Sequence, residues 1–294
     1  MATAWDLTLR PTEHAELSLA RFTAAPYRFA AQHQDGRICA MWLSPSPWDA
    51  QFFGVPMATL GLEGAQDSGA LEVLLPLVIE EATRLGLVHL RISMRTGSHG
   101  AIEATQAAGF RVRWVSAQIT CDTRRLKGTP NALPDGLECH EAEVSHLAAL
   151  EGICDQLAPY CWPELDPALP NEAREGYVME RVLNCVTTDY ADSAQVLLWR
   201  GRVVGFHASK LQRHDLTSAK APPFAYVRDT FVSPTAPPTT GVHLIRQALL
   251  RHVETARQVT GRVRLDGLSM LNAALSNGYS ITGDELLLSM SLKR

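Results

Sequence analysis

The order of the predicted secondary-structure elements repeats along this chain, and the repeat constrains the fold more than any other feature. Each half has a helical stripe of apolar residues, a strand, a short helix, a Gly-aromatic pair and a closing strand. In the first half these segments are 71–85, 88–94, 98–108, Gly109-Phe110 and 112–120; in the second they are 242–253, 262–268, a helix capped by Ser269, Gly278-Tyr279 and 285–292. This self-similarity predicts a duplicated α/β module.

The length of the chain also favours two bodies. A chain of 294 residues exceeds the usual size of one compact core. Residues 124–136 combine basic side chains with two prolines and two glycines and have no apolar face, which is typical of a linker. We therefore predict one domain over residues 1–128 and a second over residues 134–294.

The composition argues against several classes of partner. The chain has 27 basic and 31 acidic side chains, a formal net charge of −4, and no block of like charge suited to a phosphate backbone or an anionic membrane. No apolar run approaches the roughly 18 residues that cross a bilayer, and the N-terminus lacks the apolar stretch of a secretory signal. We predict a cytoplasmic protein that binds neither nucleic acid nor membrane.

The cysteines give no sign of a metal site. All six are scattered without a CxxC pair, as expected of thiols in a reducing compartment. Cys139, His140, Cys154 and Cys161 can be grouped as ligands, but their spacing fits no known zinc pattern. We predict that the protein holds no metal.

The start of the second domain has a different pattern from the repeat. Amphipathic helices at 144–158 and 171–186 flank a Pro-rich, aromatic stretch at 159–170. Residues 194–211 then predict an antiparallel hairpin around a tight Arg200-Gly201 turn, and 224–234 supplies a third strand.

The junction between this third strand and the next helix is a candidate anion site. The N–H groups in the first turn of a helix and the positive end of its dipole favour a bound phosphate. Gly241 allows close approach to the backbone, and Thr239 and Thr240 add hydroxyl donors. The alternative is that one threonine caps the helix while Pro237-Pro238 stiffens a turn.

The second domain resembles the GCN5-related N-acetyltransferase family. The matching pieces are VLLWRGRVVGF, VRDTFVSP, TTGVHLIRQAL and MLNAALSNGY, and their order covers residues 137–294. In the first domain, PWDAQFFGVPMATL (47–60) is similar to a string of the dTDP-fucosamine acetyltransferase group. The resemblance implies a mixed α/β fold: a partial module followed by a complete one, with a central, mostly antiparallel sheet flanked by helices.

The resemblance implies direct transfer of an acetyl group from acetyl-CoA to an amine. The pantetheine arm would lie along the central strand, where a backbone N–H polarises the thioester carbonyl. The first turn of the next helix would hold the diphosphate. The cofactor-binding residues expected on this basis are Phe231, Val232, Ser233, Thr239, Thr240, Gly241, Val242 and His243.

Two residues are candidates for the base that removes a proton from the amine. Asp229 is on the predicted central strand, and His207 is on its neighbour. The alternative for His207 is a hydrogen-bonded structural role. The predicted substrate wall is the aromatic and acidic loop with the following helix, which is otherwise a packed surface loop; its residues are Tyr160, Trp162, Glu164, Asp166 and Tyr177.

The chain departs from the family pattern at two places. The usual diphosphate motif is Q/R-x-x-G-x-G/A, but residues 238–243 keep only Gly241 and place His243 at the last small position. The histidine would either crowd a diphosphate or, when protonated, add charge to it. The tyrosine that commonly protonates the thiolate falls at Ala274, and a partner asparagine falls near Gly267.

Three functions therefore remain open from the sequence. The first is an N-acetyltransferase acting on an amino sugar, a nucleotide-linked amino sugar or a similar small amine. The second is a thioester acyltransferase or decarboxylase acting on CoA-bound or carrier-bound acyl groups. The third is a non-catalytic module that binds acyl-CoA or forms a dimer. A homodimer is an option that the sequence leaves open.

Overall fold

The structure is a computed structural model that describes residues 5–8, 27–64, 68–126, 132–157, 163, 166–212 and 223–292. The helices in these ranges are α1 Pro47–Phe53, α2 Ser68–Arg84, α3 His99–Ala107, α4 Leu147–Leu157, α5 Asn171–Thr187, α6 Thr240–His252 and α7 Leu268–Ser276. Short 3₁₀ turns cover Thr123–Leu126 and Val144–His146. None of the helices among the described residues is long and apolar enough to span a membrane.

Each half of the chain contributes six strands in the described ranges. In the first half they are β1 Trp5–Thr8, β2 Tyr27–His33, β3 Ile38–Pro45, β4 Met57–Gly64, β5 His89–Met94 and β6 Arg111–Asp122. In the second half they are β7 Leu137–Glu141, β8 Ser193–Trp199, β9 Arg202–Gln212, β10 Phe224–Val232, β11 Gln258–Arg264 and β12 Ser280–Ser291.

The chain forms two compact units. Unit 1 contains residues 1–115, 165–173 and 285–294, and unit 2 contains 116–164 and 174–284. The boundary predicted at 128–134 divides the chain into two continuous parts. In the structure, residues 165–173 and 285–294, which follow that boundary, belong to unit 1. Part of the proposed linker, 127–131, lies outside the described residues.

Each unit has a mixed, mostly antiparallel sheet, as predicted. The order is β1-β2-β3-β4-β5-β12 in unit 1 and β7-β8-β9-β10-β11-β6 in unit 2. One pair in each unit is parallel, namely β4 with β5 and β10 with β11. The sixth strand of each order comes from the other sequence repeat, because β12 pairs with β5 through residues 286–291 and β6 pairs with β11 through residues 116–122.

Apolar stripes on the helices build the cores. In unit 1, the buried face of α2 packs with Phe110 and Leu288. In unit 2, one core joins α6 and α7 to one face of the sheet, and another joins α4 and α5 to the opposite face. Successive strand residues point to opposite faces, so each β9 residue serves only one of these cores.

The Gly-aromatic pairs have the same conformation in both units. Gly109 and Gly278 have φ values of 105° and 84°, a region that favours glycine at the end of a helix. The following Phe110 and Tyr279 donate their amide N–H to Thr105 O and Ala274 O, each at 3.2 Å. Both aromatic side chains are buried. The shared end of α3 and α7 supports the duplication that the sequence predicted.

The aromatic string at 47–53 forms α1, in which Trp48 stacks on Phe52 with ring centroids 5.5 Å apart while Phe53 is buried. Two local expectations change in the structure. The strand predicted at 262–268 is Gln258–Arg264. Helix α7 begins after Gly267, so Ser269 lies inside the helix rather than capping it.

Candidate functional site

Strand β10 of unit 2 has one edge that its neighbour covers only in part. It pairs with β9 along its length, but its parallel register with β11 covers only Phe224–Tyr226. Past Tyr226, the structure shows no register pair between β10 and β11 in the described ranges. The strands are still close one residue later, because a Cβ on Gly261 would lie 3.2 Å from Val227 Cβ. The edge therefore opens from Arg228 onward.

Two amides of β10 face this open edge. Ser233 N donates to Val204 O at 2.8 Å, which fixes which peptide groups turn toward β9. Because the N–H groups of an antiparallel strand alternate between its two edges, those of Thr230 and Val232 turn away from β9. By the same alternation the predicted Phe231 amide faces β9, and the Phe231 ring packs on Phe206 with centroids 5.4 Å apart.

The loop after β10 leads into the first turn of α6. Thr239 has a φ of 69°, and its carbonyl accepts the amides of Val242 at 2.9 Å and His243 at 3.2 Å. Thr240 N donates to Pro237 O at 3.3 Å. Among the described residues, the amides of Thr239 and Gly241 have no acceptor. These two N–H groups are available to an anion at the positive end of the helix.

The predicted hydroxyl donors of this loop are mostly engaged. Thr240 is buried, and its Oγ1 donates to Pro237 O at 2.6 Å. Ser233 is buried as well, and its Oγ lies 3.0 Å from Thr235 Oγ1. Thr239 is exposed, and His243 is half-buried. Backbone amides, rather than the Thr240 and Ser233 hydroxyls, are thus the donors that this loop offers.

Asp229 forms an ion pair on the sheet face that carries α5. Arg181 donates Nε and Nη2 to Asp229 Oδ2 at 3.1 and 2.9 Å. Both bonds go to Oδ2, which leaves Oδ1 with no hydrogen bond among the residues that the structure describes. Burial raises the pKa of the Asp229 carboxyl above its usual range, and the Arg181 charge opposes that rise.

Arg181 was not among the site residues predicted from the sequence, although it contacts several groups on this face of the sheet. Its Nη2 also donates to Arg228 O at 2.7 Å, and its Nη1 lies 3.3 Å from the Tyr177 hydroxyl. Tyr177 itself is buried against this guanidinium. Tyr177 and Arg181 are four residues apart, a spacing that places both side chains on one face of a helix. This spacing is the feature of the sequence from which the contact could have been predicted.

His207 lies on the opposite face of the sheet, under α6. It is 3% exposed, and its Nδ1 lies 2.7 Å from Thr230 Oγ1. Burial lowers the pKa of His207 to about 3, so the imidazole is neutral at physiological pH. Ser209 and His252 form a similar pair on this face, with Oγ and Nε2 2.7 Å apart.

Part of the predicted substrate wall falls elsewhere. Tyr160, Trp162 and Glu164 lie outside the described residues. Asp166 is fully buried in unit 1, where it pairs with His89 at 2.8 Å and with Arg113 at 3.1 Å. Ser289 also donates to it. Asp166 is therefore a buried structural anion rather than part of a substrate wall.

Ala274 and Gly267, where the family commonly has a tyrosine and an asparagine, lie in and next to α7. Ala274 is 1% exposed and packs in the same core as Tyr279. Gly267 is the residue before α7.

For metals, the described residues include no group of three or more His, Cys, Asp or Glu side chains arranged as ligands, and Cys161 lies outside those residues.

Comparison with known proteins identifies the fold. No family model and no curated protein matches the chain. A tandem GNAT protein from the clavulanic acid biosynthesis pathway matches with a TM-score of 0.53 and 16% identity, over 93% of this chain and 86% of that one. A GCN5-related N-acetyltransferase from Sphaerobacter thermophilus matches with a TM-score of 0.55 and 11% identity, over 91% and 81%.

A protein from Staphylococcus epidermidis described as functionally unknown matches with a TM-score of 0.56 and 11% identity, over 87% of this chain and 91% of that one. These identities are low, so the likeness concerns the fold. The narrower resemblance to dTDP-fucosamine acetyltransferases stays a prediction. The repeated units, the parted parallel strands and the structural matches together show that the chain has the fold of the GCN5-related N-acetyltransferases, in its tandem form.

Proposed function

We propose that the protein is an acyl-CoA-dependent N-acyltransferase that moves an acetyl group from acetyl-CoA to the amine of a small substrate, such as an amino sugar or a nucleotide-linked amino sugar. The observation that carries the proposal is the open edge of β10, with the amides of Thr230 and Val232 along it. The first turn of α6 then offers the Thr239 and Gly241 amides, which have no acceptor among the described residues. The fold supports this assignment.

The residues present fit both ends of the co-substrate. Acetyl-CoA supplies a thioester, whose carbonyl gains negative charge as the amine attacks. Amides fixed at a strand edge stabilise such charge without reorganising. With the diphosphate at α6, the chain of the co-substrate passes Val232 before Thr230, so the Thr230 amide lies nearer the reacting end.

Asp229 is the base that this geometry favours. An ammonium must lose a proton before its nitrogen attacks, and Asp229 Oδ1 has no hydrogen bond among the described residues to prevent it from accepting one. The raised pKa of Asp229 makes it a better base than an exposed carboxylate. His207 is the weaker candidate because it is enclosed under α6 and its pKa is low.

Binding and turnover test the proposal separately. A ligand that binds only the folded state stabilises the protein by about 2.7 kcal/mol at 100 times its Kd, so acetyl-CoA and CoA are expected to raise Tm. Release of free thiol is then followed with amino sugars and nucleotide-linked amino sugars. Absence of any shift with CoA, acetyl-CoA and longer acyl-CoAs contradicts the proposal. Binding without thiol release would indicate an acyl-CoA-binding module.

A further inference from the structure

Arg228 lies at the point where β10 leaves its neighbours. The register between β10 and β9 shifts between Val227 and Asp229, so Arg228 is the extra residue of a β-bulge. The register with β11 ends two residues earlier, at Tyr226. Bulges often redirect a side chain beside a functional site. This one fixes Arg228 where the strand edge opens, and Arg181 Nη2 holds its carbonyl at 2.7 Å.

Two tyrosines hold the Arg228 guanidinium. Its Cζ lies 4.6 Å from the ring centroid of Tyr190 and 5.8 Å from that of Tyr226. Cation–π contacts of this kind orient the planar group and replace part of its hydration. They do not use its N–H donors, which point outward in the plane of the group.

Within the described ranges, the guanidinium of Arg228 has no hydrogen-bond acceptor and forms no salt bridge, although the Asp229 carboxylate is close enough to feel its charge. Its Nε is buried and unsatisfied. The nearest acidic neighbour in sequence, Asp229, receives both of its hydrogen bonds from Arg181. Asp192 lies 3.3 Å from Lys210 Nζ instead. Two guanidiniums are thus close to one carboxylate, which hydrogen-bonds only to Arg181. The half-buried Arg228 keeps a buried Nε–H donor with no acceptor among the described residues, and a buried donor without an acceptor is costly.

The neighbouring strand adds positive charge to the same face. Tyr226 and Thr260 are register partners in a parallel pair, so their side chains share one face of the sheet. Alternation places Arg262 and Arg264 on that face as well. Arg264 is paired with Asp266, and the Arg262 side chain is exposed. The face beside the open edge therefore carries two further arginine side chains.

We propose that Arg228 binds an oxyanion, a carboxylate or a phosphate, carried by the amine acceptor. This inference rests on the proposed acyl transfer, because the acceptor amine must reach the edge beside Thr230. Residues two apart on a strand are separated by about 7 Å, so the oxyanion lies a few bonds from the amine. The fork of an arginine suits either oxyanion through two parallel hydrogen bonds.

Matched amines test the proposal on the full-length protein. Glucosamine 6-phosphate is compared with glucosamine, and 4-aminobutanoate with 4-aminobutanamide, by calorimetric titration. The wild-type protein should bind at least one oxyanion-bearing amine ten or more times more tightly than the matched amine that lacks the oxyanion. Whichever pair shows the preference identifies the oxyanion as phosphate or carboxylate. Equal affinity within both pairs, or no binding by any of the four, overturns the proposal.

Three variants assign the preference to Arg228. Arg228→Gln should abolish it, and Arg228→Lys should retain part of it because the charge remains while the fork is lost. Arg202→Gln, at an exposed arginine in β9, is the matched control and should leave it unchanged. Circular dichroism and Tm establish that each variant folds. A preference that survives in a folded Arg228→Gln protein overturns the proposal.

Kinetics separate this inference from the proposed function. In thiol-release assays, Arg228→Gln should raise KM for the oxyanion-bearing amine at least tenfold, leave KM for the matched amine without the oxyanion unchanged and alter kcat by less than threefold. Its affinity for CoA should not change. If CoA fails to bind the wild-type protein, the proposed function fails, while the calorimetric comparison still decides whether Arg228 is an oxyanion site.

Discussion

Asp229 has two guanidinium groups close to it and hydrogen bonds from only one of them, Arg181. Its environment combines burial, which disfavours the charged carboxylate, with cations that favour it. Such opposed influences are common where a group gains and loses a proton during a reaction. At this scale, the proposed role of Asp229 as a base depends on its Oδ1, which has no hydrogen bond among the described residues.

Asp229→Asn should reduce the acetyl-transfer rate by roughly 10²–10⁴-fold, because the amide cannot accept a proton from the substrate ammonium. The acidic limb of the pH profile of kcat/KM should disappear, while the Kd for acetyl-CoA stays the same. The control is Asp122→Asn, at a partly exposed carboxylate paired with Arg124, which should leave both parameters unchanged. An unaltered rate and pH profile would make Asp229 a charge partner of Arg181 instead of a base.

His207 should make the folded state sensitive to mild acid. The unfolded chain binds a proton near pH 6.5, whereas the folded chain does not until about pH 3. Between these values the unfolded state holds more protons, so the free energy of unfolding falls as pH falls, by up to about 1.4 kcal/mol per unit. His252, whose pKa burial also lowers, acts in the same direction.

Urea unfolding from pH 7 to pH 4.5 measures this effect. His207→Gln should show a smaller loss of stability over that range than the wild-type protein. The control is His140→Gln, at a histidine whose side chain is half exposed beside Glu138. Identical pH slopes for wild-type and His207→Gln would contradict the assignment.

At the scale of elements, α6 has first-turn amides that lack an acceptor among the described residues and can be removed one at a time. Gly241→Pro deletes one N–H within the first helical turn, where proline is tolerated. A hydrogen bond to a charged group contributes about 1.5–3 kcal/mol, so the Kd for CoA should rise at least tenfold. Gly241→Ala keeps the amide, and its Cβ would meet Ala273 and Val232 at an ordinary 3.7 Å, so binding should persist.

Calorimetry with CoA distinguishes these two variants, and Tm without ligand shows whether each one folds. Equal affinity of Gly241→Pro and Gly241→Ala would mean that the Gly241 amide does not contact the diphosphate.

The end of α7 depends on a glycine conformation. Gly278 has a φ of 84°, where a side chain is strained although a Cβ at this position would lie 4.0 Å from its nearest neighbour, Cys121 Sγ. Gly278→Ala should therefore destabilise unit 2 by about 1–2 kcal/mol in urea unfolding. The control, Gly152→Ala inside α4, meets no atom within 4 Å and should stabilise by up to about 1 kcal/mol. A neutral Gly278→Ala would show that this turn relaxes without cost.

At the scale of the whole molecule, the pairing of β12 determines whether the first part of the chain can fold without the second. Strand β12 pairs with β5, and Leu288 is fully buried in the core of unit 1. Asp166, which is also remote in sequence, hydrogen-bonds to His89 and forms a salt bridge with Arg113 in the same unit. A domain cut from the chain at the linker lacks both of these contributions.

A fragment of residues 1–128 should therefore fail to fold alone, because it lacks β12 and the buried anion. Circular dichroism and hydrogen exchange of the purified fragment provide the measurement. Co-expression with residues 134–294 is the control and should restore a folded complex. A cooperatively folded 1–128 fragment would show that the sequence boundary is also a boundary of stability.

The prediction of elements succeeded where a local pattern is sufficient. The stripe of α2, the hairpin of β8 and β9, and the Gly-aromatic ends of α3 and α7 depend on residues close in sequence. The polar site was harder to predict because its members come from distant segments. Arg181 and Asp229 are 48 residues apart, and nothing in either local sequence shows that they meet.

The sequence by itself determined the mixed α/β class, the duplication and the junction that begins α6, because helix periodicity, strand alternation and glycine conformations are local properties. Only the tertiary structure decided that β6 pairs in the sheet of unit 2 and β12 in the sheet of unit 1. It also decided that Asp166 is a buried anion of unit 1 and that the buried Nε of Arg228 has no hydrogen-bond acceptor among the described residues. The physical reason is that strand pairing and the pairing of buried charges depend on contacts between segments that are distant in sequence and become buried together on folding.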